Sequence, residues 1–213
     1  MFKILFAPHE AIAEAKTEKS YGKTIGLLLL TSLLLSISVA LSTGSFSMIA
    51  IGTAIAVLFI SFFFTLFEAF LLKISLKILS NQGGYFEALT AMTYGQFIMS
   101  IGVLAFYLIG LLSFGNIILT AITSAIGGLV LVIMIITAYS VMLRAAAELF
   151  QTDMFTVIVA VLIVYVASIL TIYFIILKMI IASLATLSGT LGGIGSSLSE
   201  KIPSLPSVSS FPK

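Results

Sequence analysis

The fold is decided by the stretch KISLKILSNQGGYFEALTAMTYGQ, residues 73–96, the polar elbow in the middle of an otherwise apolar chain. Lys73 and Lys77 stand at helical spacing before the pair Gly83-Gly84, after which the chain re-enters apolar sequence. Glycine reaches positive φ without a steric penalty, so this pair permits a sharp reversal between two helices. A phosphate-binding loop is a weaker interpretation, because the strand and the ordered glycines and lysine that it requires are missing. The stretch therefore predicts the end of one membrane hairpin and the start of the next.

Composition excludes a water-soluble domain. The 213 residues are 61% hydrophobic and only 8% charged, with a mean hydropathy of +1.28, whereas soluble globular domains carry about 25% charged residues. Such a chain cannot cover a surface that faces water, so it is predicted to be an integral membrane protein. With no cysteine and a single histidine, His9, the chain lacks the residues for disulfides, thiolate chemistry and His-pair metal sites. We expect no catalytic residue, metal or cofactor, and the net charge of +2 argues against a nucleic-acid partner.

Uncharged runs set the number of membrane spans. Residues 24–67 and 88–143 contain no charged side chain over 44 and 56 positions, and one helical span needs about 20 residues. Each run therefore holds two spans, broken at the small polar turns 42–45 and 113–116. Residues 154–177 make a fifth span.

The predicted fold class is thus all-α, a polytopic bundle of five transmembrane helices with amphipathic interfacial helices at the N-terminus and in mid-chain. The predicted spans are residues 23–41, 46–67 with a helical continuation to 79, 95–112, 117–143 and 154–177. Residues 85–94, left over at the front of the second uncharged run, are predicted to form the mid-chain interfacial helix.

The two ends of the chain differ from the spans. Residues 9–19 are predicted to form a short amphipathic helix that begins after Pro8. The apolar side chains before it are expected to lie in the lipid interface: Phe2, Ile4, Leu5 and Phe6. At the other end, Ser, Gly and Pro make up 16 of the last 31 residues, which is typical of a flexible tail. The predicted domains are therefore a five-span membrane domain, 1–182, and a tail, 183–213.

Basic residues predict the orientation of the spans. Seven of them lie in the N-terminal segment and the two polar elbows, 73–96 and 144–153, on one side of the predicted membrane: Lys3, Lys16, Lys19, Lys23, Lys73, Lys77 and Arg144. The other side has Lys178, Lys201 and Lys213, and its two short turns carry no basic residue. The positive-inside rule then puts the N-terminus in the cytoplasm, and five spans put the C-terminus outside.

Three segments resemble the membrane proteins of the Yip1-domain family. FAPHEAI (6–12) resembles their short opening, GGYFEALTAMTYGQF (83–97) their Gly-rich entry into the third span, and VMLRAAAELF (141–150) their cytoplasmic connection between spans four and five. The resemblance covers residues 1–180 and implies five spans with a cytoplasmic N-terminus. The Asp-Leu-Tyr-Gly-Pro motif of the eukaryotic branch is absent, so the resemblance implies a prokaryotic-type relative in the cell membrane rather than a vesicle-trafficking protein.

Glu68 is the only acidic residue within a predicted helical span, and an intramembrane carboxyl group is a functional hypothesis by default. Its place near the end of the second span favours a solvated, interfacial side chain or a pair with Lys73, Lys77 or Arg144. A proton or ion role is the alternative.

The elbow also carries a basic pair and an apolar ridge. Lys73 and Lys77 share a helix face and are predicted to reflect the positive-inside bias, with attraction of anionic lipid headgroups as the alternative. The ridge is predicted to anchor the chain in the interface, with a groove for a partner protein as the alternative. Its residues are Tyr85, Phe86, Leu89, Met92 and Phe97.

Other polar residues are predicted to join helices. Arg144 and Glu148, four residues apart, are expected to form a local ion pair, and a pair between Arg144 and Glu68 is the sharper hypothesis. Gln96 and the tyrosines of the spans are expected to hydrogen-bond between helices. The alternative for this last group is that it lines a transport pathway.

The function predicted from these features is that of a non-enzymatic, Yip1-like membrane protein that organises membranes or acts as a scaffold. Its expected partners are the lipid bilayer and other membrane proteins or a second copy of itself. The alternative is a small transporter, or a transporter accessory subunit, that uses Glu68. The candidate functional residues are Glu68, Lys73, Lys77, Gly83, Gly84, Phe86, Gln96 and Arg144.

Overall fold

The structure is a computed structural model that describes residues 3–42, 47–80, 83–113 and 116–201. These residues form seven helices and no strand: α1 (Lys3–Phe6), α2 (Pro8–Glu18), α3 (Tyr21–Ser42), α4 (Met48–Ser80), α5 (Tyr85–Leu111), α6 (Ile117–Phe150) and α7 (Met154–Lys201). Five of them, α3 to α7, contain apolar stretches long enough to cross a membrane. The predicted all-α bundle with five transmembrane helices is therefore confirmed, and the chain is an integral membrane protein.

Polar side chains fix the starts of the last two helices. Asn116 Oδ1 accepts hydrogen bonds from the backbone amides of Ile118, at 2.9 Å, and Leu119, at 3.3 Å, which is the usual N-cap arrangement. Before α7, Asp153 accepts from the amide of Thr156 at 2.8 Å and from its hydroxyl at 2.7 Å. These hydrogen bonds from Thr156 lower the pKa of the Asp153 carboxyl. The turns before α6 and α7 thus carry the signals that start these helices.

The chain forms two compact units, residues 1–165 and 166–213. The first part of α7, up to Tyr165, belongs to the first unit. The sequence predicts a flexible tail that begins at residue 183, whereas α7 stays helical to Lys201. Glycine and serine weaken a helix without blocking it, and the first proline of this region, Pro203, comes after the helix end. Residues 202–213 lie outside the described residues, and the domain boundary after residue 182 stays a prediction.

α5 is the central helix of the first unit. It packs most extensively against α6, then against α3 and α4, and it also contacts α1. Thirteen of its residues are buried, all of them between Phe86 and Gly102. Small side chains such as Ala88 and Ala91 let neighbouring helices approach α5 closely, so α5 forms much of the core that the other spans share.

Residues 85–94 belong to this central helix rather than to a separate interfacial one. They are the first turns of α5 and run without a break into the third span. The predicted ridge is largely inside the protein: Phe86, Leu89, Met92 and Phe97 are buried, and Tyr85 is half-buried. Side chains that are buried in the core do not anchor the chain in lipid. The sequence does not distinguish an interfacial helix from the buried start of a span here, because protein-facing and lipid-facing positions are equally apolar.

Two glycines set the close contact of α5 with α6. A β-carbon added at Gly95 would lie 2.8 Å from the β-carbon of Met142. One added at Gly102 would lie 2.6 Å from the β-carbon of Met134. The α5 backbone therefore touches the stems of α6 side chains at two places, seven residues apart, and each place has room for glycine only.

The N-terminal helix pair, α1 and α2, folds onto this bundle. Ile4 and Ala11 are buried in the same core as the spans, although the sequence predicts that Ile4 lies in the lipid interface. The Tyr94 hydroxyl donates to the Ala11 carbonyl oxygen at 3.2 Å, which ties α2 to α5. Phe6, by contrast, is 86% exposed, and Phe2 lies outside the described residues.

Both elbows meet the N-terminal helix pair at one end of the first unit. The chain turns at Gly83, whose φ is +124° and where an added β-carbon would clash with the ring of Phe150 at the end of α6. Only glycine suits such a φ without strain. Lys19, which directly follows α2, forms an ion pair of 2.9 Å with Glu87 near the start of α5. This end therefore gathers most of the charged residues of the unit.

Candidate functional site

A pocket of about 330 Å³ opens between the N-terminal helix pair, the start of α3 and the first half of α5. We refer to it as the N-terminal pocket. Its volume lies at the lower end of the range for small-molecule sites, about 300–1,000 Å³. It combines an apolar floor with a charged rim, and these are the two parts that decide what it can hold.

The floor of the N-terminal pocket is formed by apolar side chains that pack in the core. Ile4, Ala11, Leu27 and Phe86 line it, and all four side chains are buried. The Tyr21 ring meets the Phe86 ring edge-on, with 5.0 Å between the ring centroids. Phe86, a residue predicted to be functional, thus lines this pocket from within the core.

The rim of the N-terminal pocket is a row of alternating charges. Lys3 Nζ lies 3.8 Å from a carboxylate oxygen of Glu14, and Lys23 Nζ lies 3.4 Å from the other. Lys23 also pairs with Glu18. The four side chains are 44% to 62% exposed, so water screens these pairs and each contributes little to stability. The two lysines and two glutamates of the rim therefore carry no net charge together, and their side chains can exchange one ion-pair partner for another.

The pair of Lys19 and Glu87 joins the end of α2 to the start of α5. Glu87 is only 13% exposed while Lys19 is 62% exposed, so the lysine covers a largely enclosed carboxylate. The hydrogen bond to Glu87 raises the pKa of the Lys19 ammonium group. Gly84 also belongs here, since a β-carbon at that position would clash with the Glu87 carboxylate.

The second candidate site is a polar cluster inside the bundle, between α4 and α5. Gln96 Nε2 donates to Glu68 Oε2 at 3.0 Å, and the Thr65 hydroxyl donates to Gln96 Oε1 at 2.7 Å. Glu68 is 4% exposed and lies 12 residues before Ser80, the end of α4, a distance of about 18 Å along the helix axis. The cluster therefore lies well before the end of α4, enclosed between α4 and α5, where buried polar groups need protein partners.

Glu68 does not meet the basic residues predicted for it. The Arg144 side chain is exposed, and its guanidinium lies 3.4 Å from His9 Nε2. Glu148 lies 3.3 Å from His9 Nδ1, so His9 on α2 stands between the two residues predicted as a local pair. The hypothesis of an Arg144–Glu68 pair is wrong, because Glu68 is enclosed between helices and bonded to Gln96.

The remaining predicted residues lie at the elbow. On α4, Lys73 is half-buried and Lys77 is exposed, and neither takes part in an ion pair within the described part of the chain. Gly83 and Gly84 form the turn into α5. Of all the predicted candidates, then, the structure joins only Glu68 with Gln96 by a direct side-chain bond.

Sequence reasoning missed Glu87 and the rim of the N-terminal pocket. Glu87 is the third residue of α5, and its carboxylate also accepts a hydrogen bond from the Gly84 amide. An acidic residue three positions after a helix N-cap is a known capping signal, and it could have drawn attention to Glu87. No sequence signal pairs Glu87 with Lys19, because 68 residues separate them.

No family model, curated protein or solved structure matches this chain. Among the described residues, no group of three or more His, Asp or Glu side chains is placed to hold a metal ion. The features that bear on function are therefore the N-terminal pocket, the helix pair that forms it, and the polar cluster of Glu68.

Proposed function

We propose that this integral membrane protein is a non-catalytic, Yip1-like protein that organises the membrane around it and acts as a scaffold. The observation that carries the proposal is the N-terminal helix pair. It is held on the bundle by the buried Ile4, by the bond from Tyr94 to Ala11, and by the Lys19–Glu87 pair. A helix pair fixed at one end of the spans displaces lipid in one leaflet only, which is a physical route to bending or ordering a membrane.

The proposed orientation has this end of the unit in the cytoplasm of a prokaryotic cell. It is supported by the contacts that collect the basic N-terminal segment and both elbows at one end, with His9 beside Arg144 and Lys19 beside Glu87. The positive-inside rule assigns such an end to the cytoplasm. Five spans then place the C-terminus outside.

The proposed partners are the lipid bilayer and other membrane proteins, or a second copy of this chain. The long helices α4 and α6 support this, because little of their most apolar 18-residue stretch is buried within the molecule, 11% in α4 and 6% in α6. Faces of this size are covered by lipid or by another transmembrane helix.

The exposed Phe6 provides the test of the proposed function. Wild-type protein reconstituted into vesicles is expected to reduce their mean diameter, or to turn them into tubules, as the protein-to-lipid ratio rises. Phe6→Ser is expected to weaken this effect, because it removes the apolar side chain that enters the interface. Phe6→Leu, which keeps an apolar side chain, is expected to behave like wild type. Cryo-electron microscopy of the vesicles measures the effect. Vesicles of unchanged size at every ratio of wild-type protein would contradict the proposal.

Transport is the second candidate function, and the buried cluster of Glu68 with Gln96 and Thr65 is the observation that favours it. A carboxyl group inside a membrane span is a common site for proton or ion movement. If this protein conducts protons, vesicles that contain it and a trapped pH-sensitive dye will lose an imposed pH gradient faster than protein-free vesicles. Glu68→Gln is expected to abolish that difference, and Glu148→Gln, at the exposed end of α6, is expected to leave it intact. Equal rates with and without wild-type protein would exclude this function.

A further inference from the structure

We propose that the N-terminal pocket binds the head of a zwitterionic phospholipid that carries a primary amine, as phosphatidylethanolamine does. The lipid comes from the surrounding bilayer, and its phosphate and ammonium groups meet the charged rim. This inference names a ligand that the proposed function does not specify. It rests on that function only in placing the helix pair at the membrane surface.

The order of charges along the rim selects a zwitterion. Glu14 stands between Lys3 and Lys23, and Lys23 stands between Glu14 and Glu18. A ligand with a single charge would bring that charge close to two residues of the same sign, which is unfavourable. A ligand that holds an anion and a cation a few bonds apart can meet both signs at once.

The type of cation follows from the two carboxylates. A primary ammonium group has three N–H donors and can therefore donate to Glu14 and Glu18 together. A quaternary choline ammonium has no N–H group to donate. On the other side, phosphate oxygens accept charge-assisted hydrogen bonds from lysine, a role that Lys3 and Lys23 can take. The rim therefore favours ethanolamine over choline, and a zwitterion over an anionic glycerol headgroup.

The floor and the size of the N-terminal pocket favour a lipid over a free polar molecule. Below the rim the pocket is lined by the buried side chains of Ile4, Leu27 and Phe86. The buried hydroxyls of this lining, Thr24 and Tyr94, already bond to Thr90 and to the Ala11 carbonyl oxygen. A fully polar solute would therefore lose its hydration against this floor with little to replace it. The glycerol backbone and first methylene groups of a lipid would bury apolar surface there, and a volume of about 330 Å³ holds a headgroup with this short apolar part.

The rim can change partners at little loss. Its ion pairs are half-exposed, so water screens them and each contributes little to stability. A phosphate and an ammonium group that insert between these side chains replace weak contacts with charge-assisted hydrogen bonds inside a partly enclosed pocket. Binding of the lipid therefore need not disturb the packing that holds α1 and α2 on the bundle.

The test is native mass spectrometry of the full chain. The protein is equilibrated in mixed micelles with equal amounts of phosphatidylethanolamine, phosphatidylcholine and phosphatidylglycerol of the same acyl chains, and the lipids that remain bound are counted. The wild-type protein is expected to retain the ethanolamine lipid roughly tenfold over the other two, since one or two charge-assisted hydrogen bonds distinguish them. Equal retention of the three lipids would overturn the proposal.

Two variants locate the binding. Ala15→Phe fills the N-terminal pocket without changing its charge and is expected to remove the preference, whereas Ala13→Phe, on the exposed side of the same helix α2, is expected to keep it. The double variant Glu14→Gln/Glu18→Gln leaves the cavity open but removes the carboxylates. It is expected to lose the preference for ethanolamine and to retain more phosphatidylglycerol. Wild-type preference in Ala15→Phe, or in the double variant, would place the binding elsewhere and refute the assignment.

The source of the headgroup and the proposed function are tested separately. Soluble phosphoethanolamine, added at the concentration of the lipid, is expected not to displace it, and displacement would show that the pocket takes the free ester and not the lipid. The vesicle assay with Phe6→Ser addresses the proposed function alone, because Phe6 does not line the pocket. A lipid preference without any change of vesicle shape would therefore reject the membrane-organising function and keep the lipid site.

Discussion

Gly102→Leu is expected to destabilise the bundle by about 1–3 kcal/mol or more. Gly102 is buried on the central helix α5, and an added β-carbon would lie 2.6 Å from the β-carbon of Met134 on α6. The contact is with the stem of the methionine, not with its flexible end. Relief therefore requires α5 and α6 to move apart, and these two helices form the most extensive contact in the first unit.

Gly110→Leu is the matched control for this variant. Gly110 lies on the same helix, eight residues further on, and an added β-carbon would meet nothing within 4 Å. Both changes add the same side chain and both relieve the weak helix propensity of glycine, so their difference isolates the packing against Met134. Thermal unfolding in detergent, followed by the fraction that remains monodisperse in size-exclusion chromatography, measures it. Similar midpoints for the two variants would mean that α5 and α6 are not in close contact at Gly102.

The positions of the spans could be predicted from the sequence because hydrocarbon thickness fixes their length. The uncharged runs and the polar turns between them determine where helices start and stop, and Asn116 and Asp153 supply local caps at two of those starts. None of this requires knowledge of which helix lies beside which. The number of spans and the bounds of α3 and α4 therefore follow from the sequence to within about two residues, whereas α6 continues past the predicted end at residue 143 to Phe150.

The arrangement of the helices could not be predicted in the same way. In water, the polar and apolar faces of a helix reveal its buried side, but a helix in lipid is apolar on every face. Residues 85–94 thus have the composition of an interfacial helix and yet form the most buried part of α5. The signal that distinguishes them is the small residues Ala88 and Ala91, followed directly by Gly95, which have little value as lipid anchors and permit close packing.

The candidate sites were predictable only in part, for a related reason. Glu68 and Gln96 each stand out as polar residues in apolar sequence, but their contact joins two helices and depends on how these are rotated. The N-terminal pocket draws its rim from α1, α2 and α3, so no short motif contains it. The sequence identifies Lys3 and Lys23 of this rim only as charges that orient the chain, which is a property of composition and does not depend on the contacts between helices.

Gln96→Leu is expected to destabilise the protein by about 1–3 kcal/mol, because it leaves the Glu68 carboxyl buried without its hydrogen-bond partner. The Thr65 hydroxyl is affected less, since it also lies 2.8 Å from the Ser61 carbonyl oxygen and keeps that acceptor. Thr53→Val, which removes a hydroxyl from an exposed face of the same helix α4, is the control and is expected to change stability by no more than about 0.5 kcal/mol.

The double variant Glu68→Leu/Gln96→Leu decides whether the two side chains act as a pair. Removing one partner strands a polar group, whereas removing both leaves an apolar contact between α4 and α5 that suits the surrounding lipid and protein. The double variant is therefore expected to be more stable than the sum of the single effects predicts, with a coupling energy of about 1 kcal/mol. Titration with a denaturing detergent in mixed micelles measures the stability of the wild type, of Glu68→Leu, of Gln96→Leu and of the double variant under one condition. Additive effects would show that Glu68 and Gln96 do not share a hydrogen bond in the membrane. A double variant that is as stable as wild type and has lost proton movement in vesicles would show that the cluster is kept for function and not for the stability of the bundle.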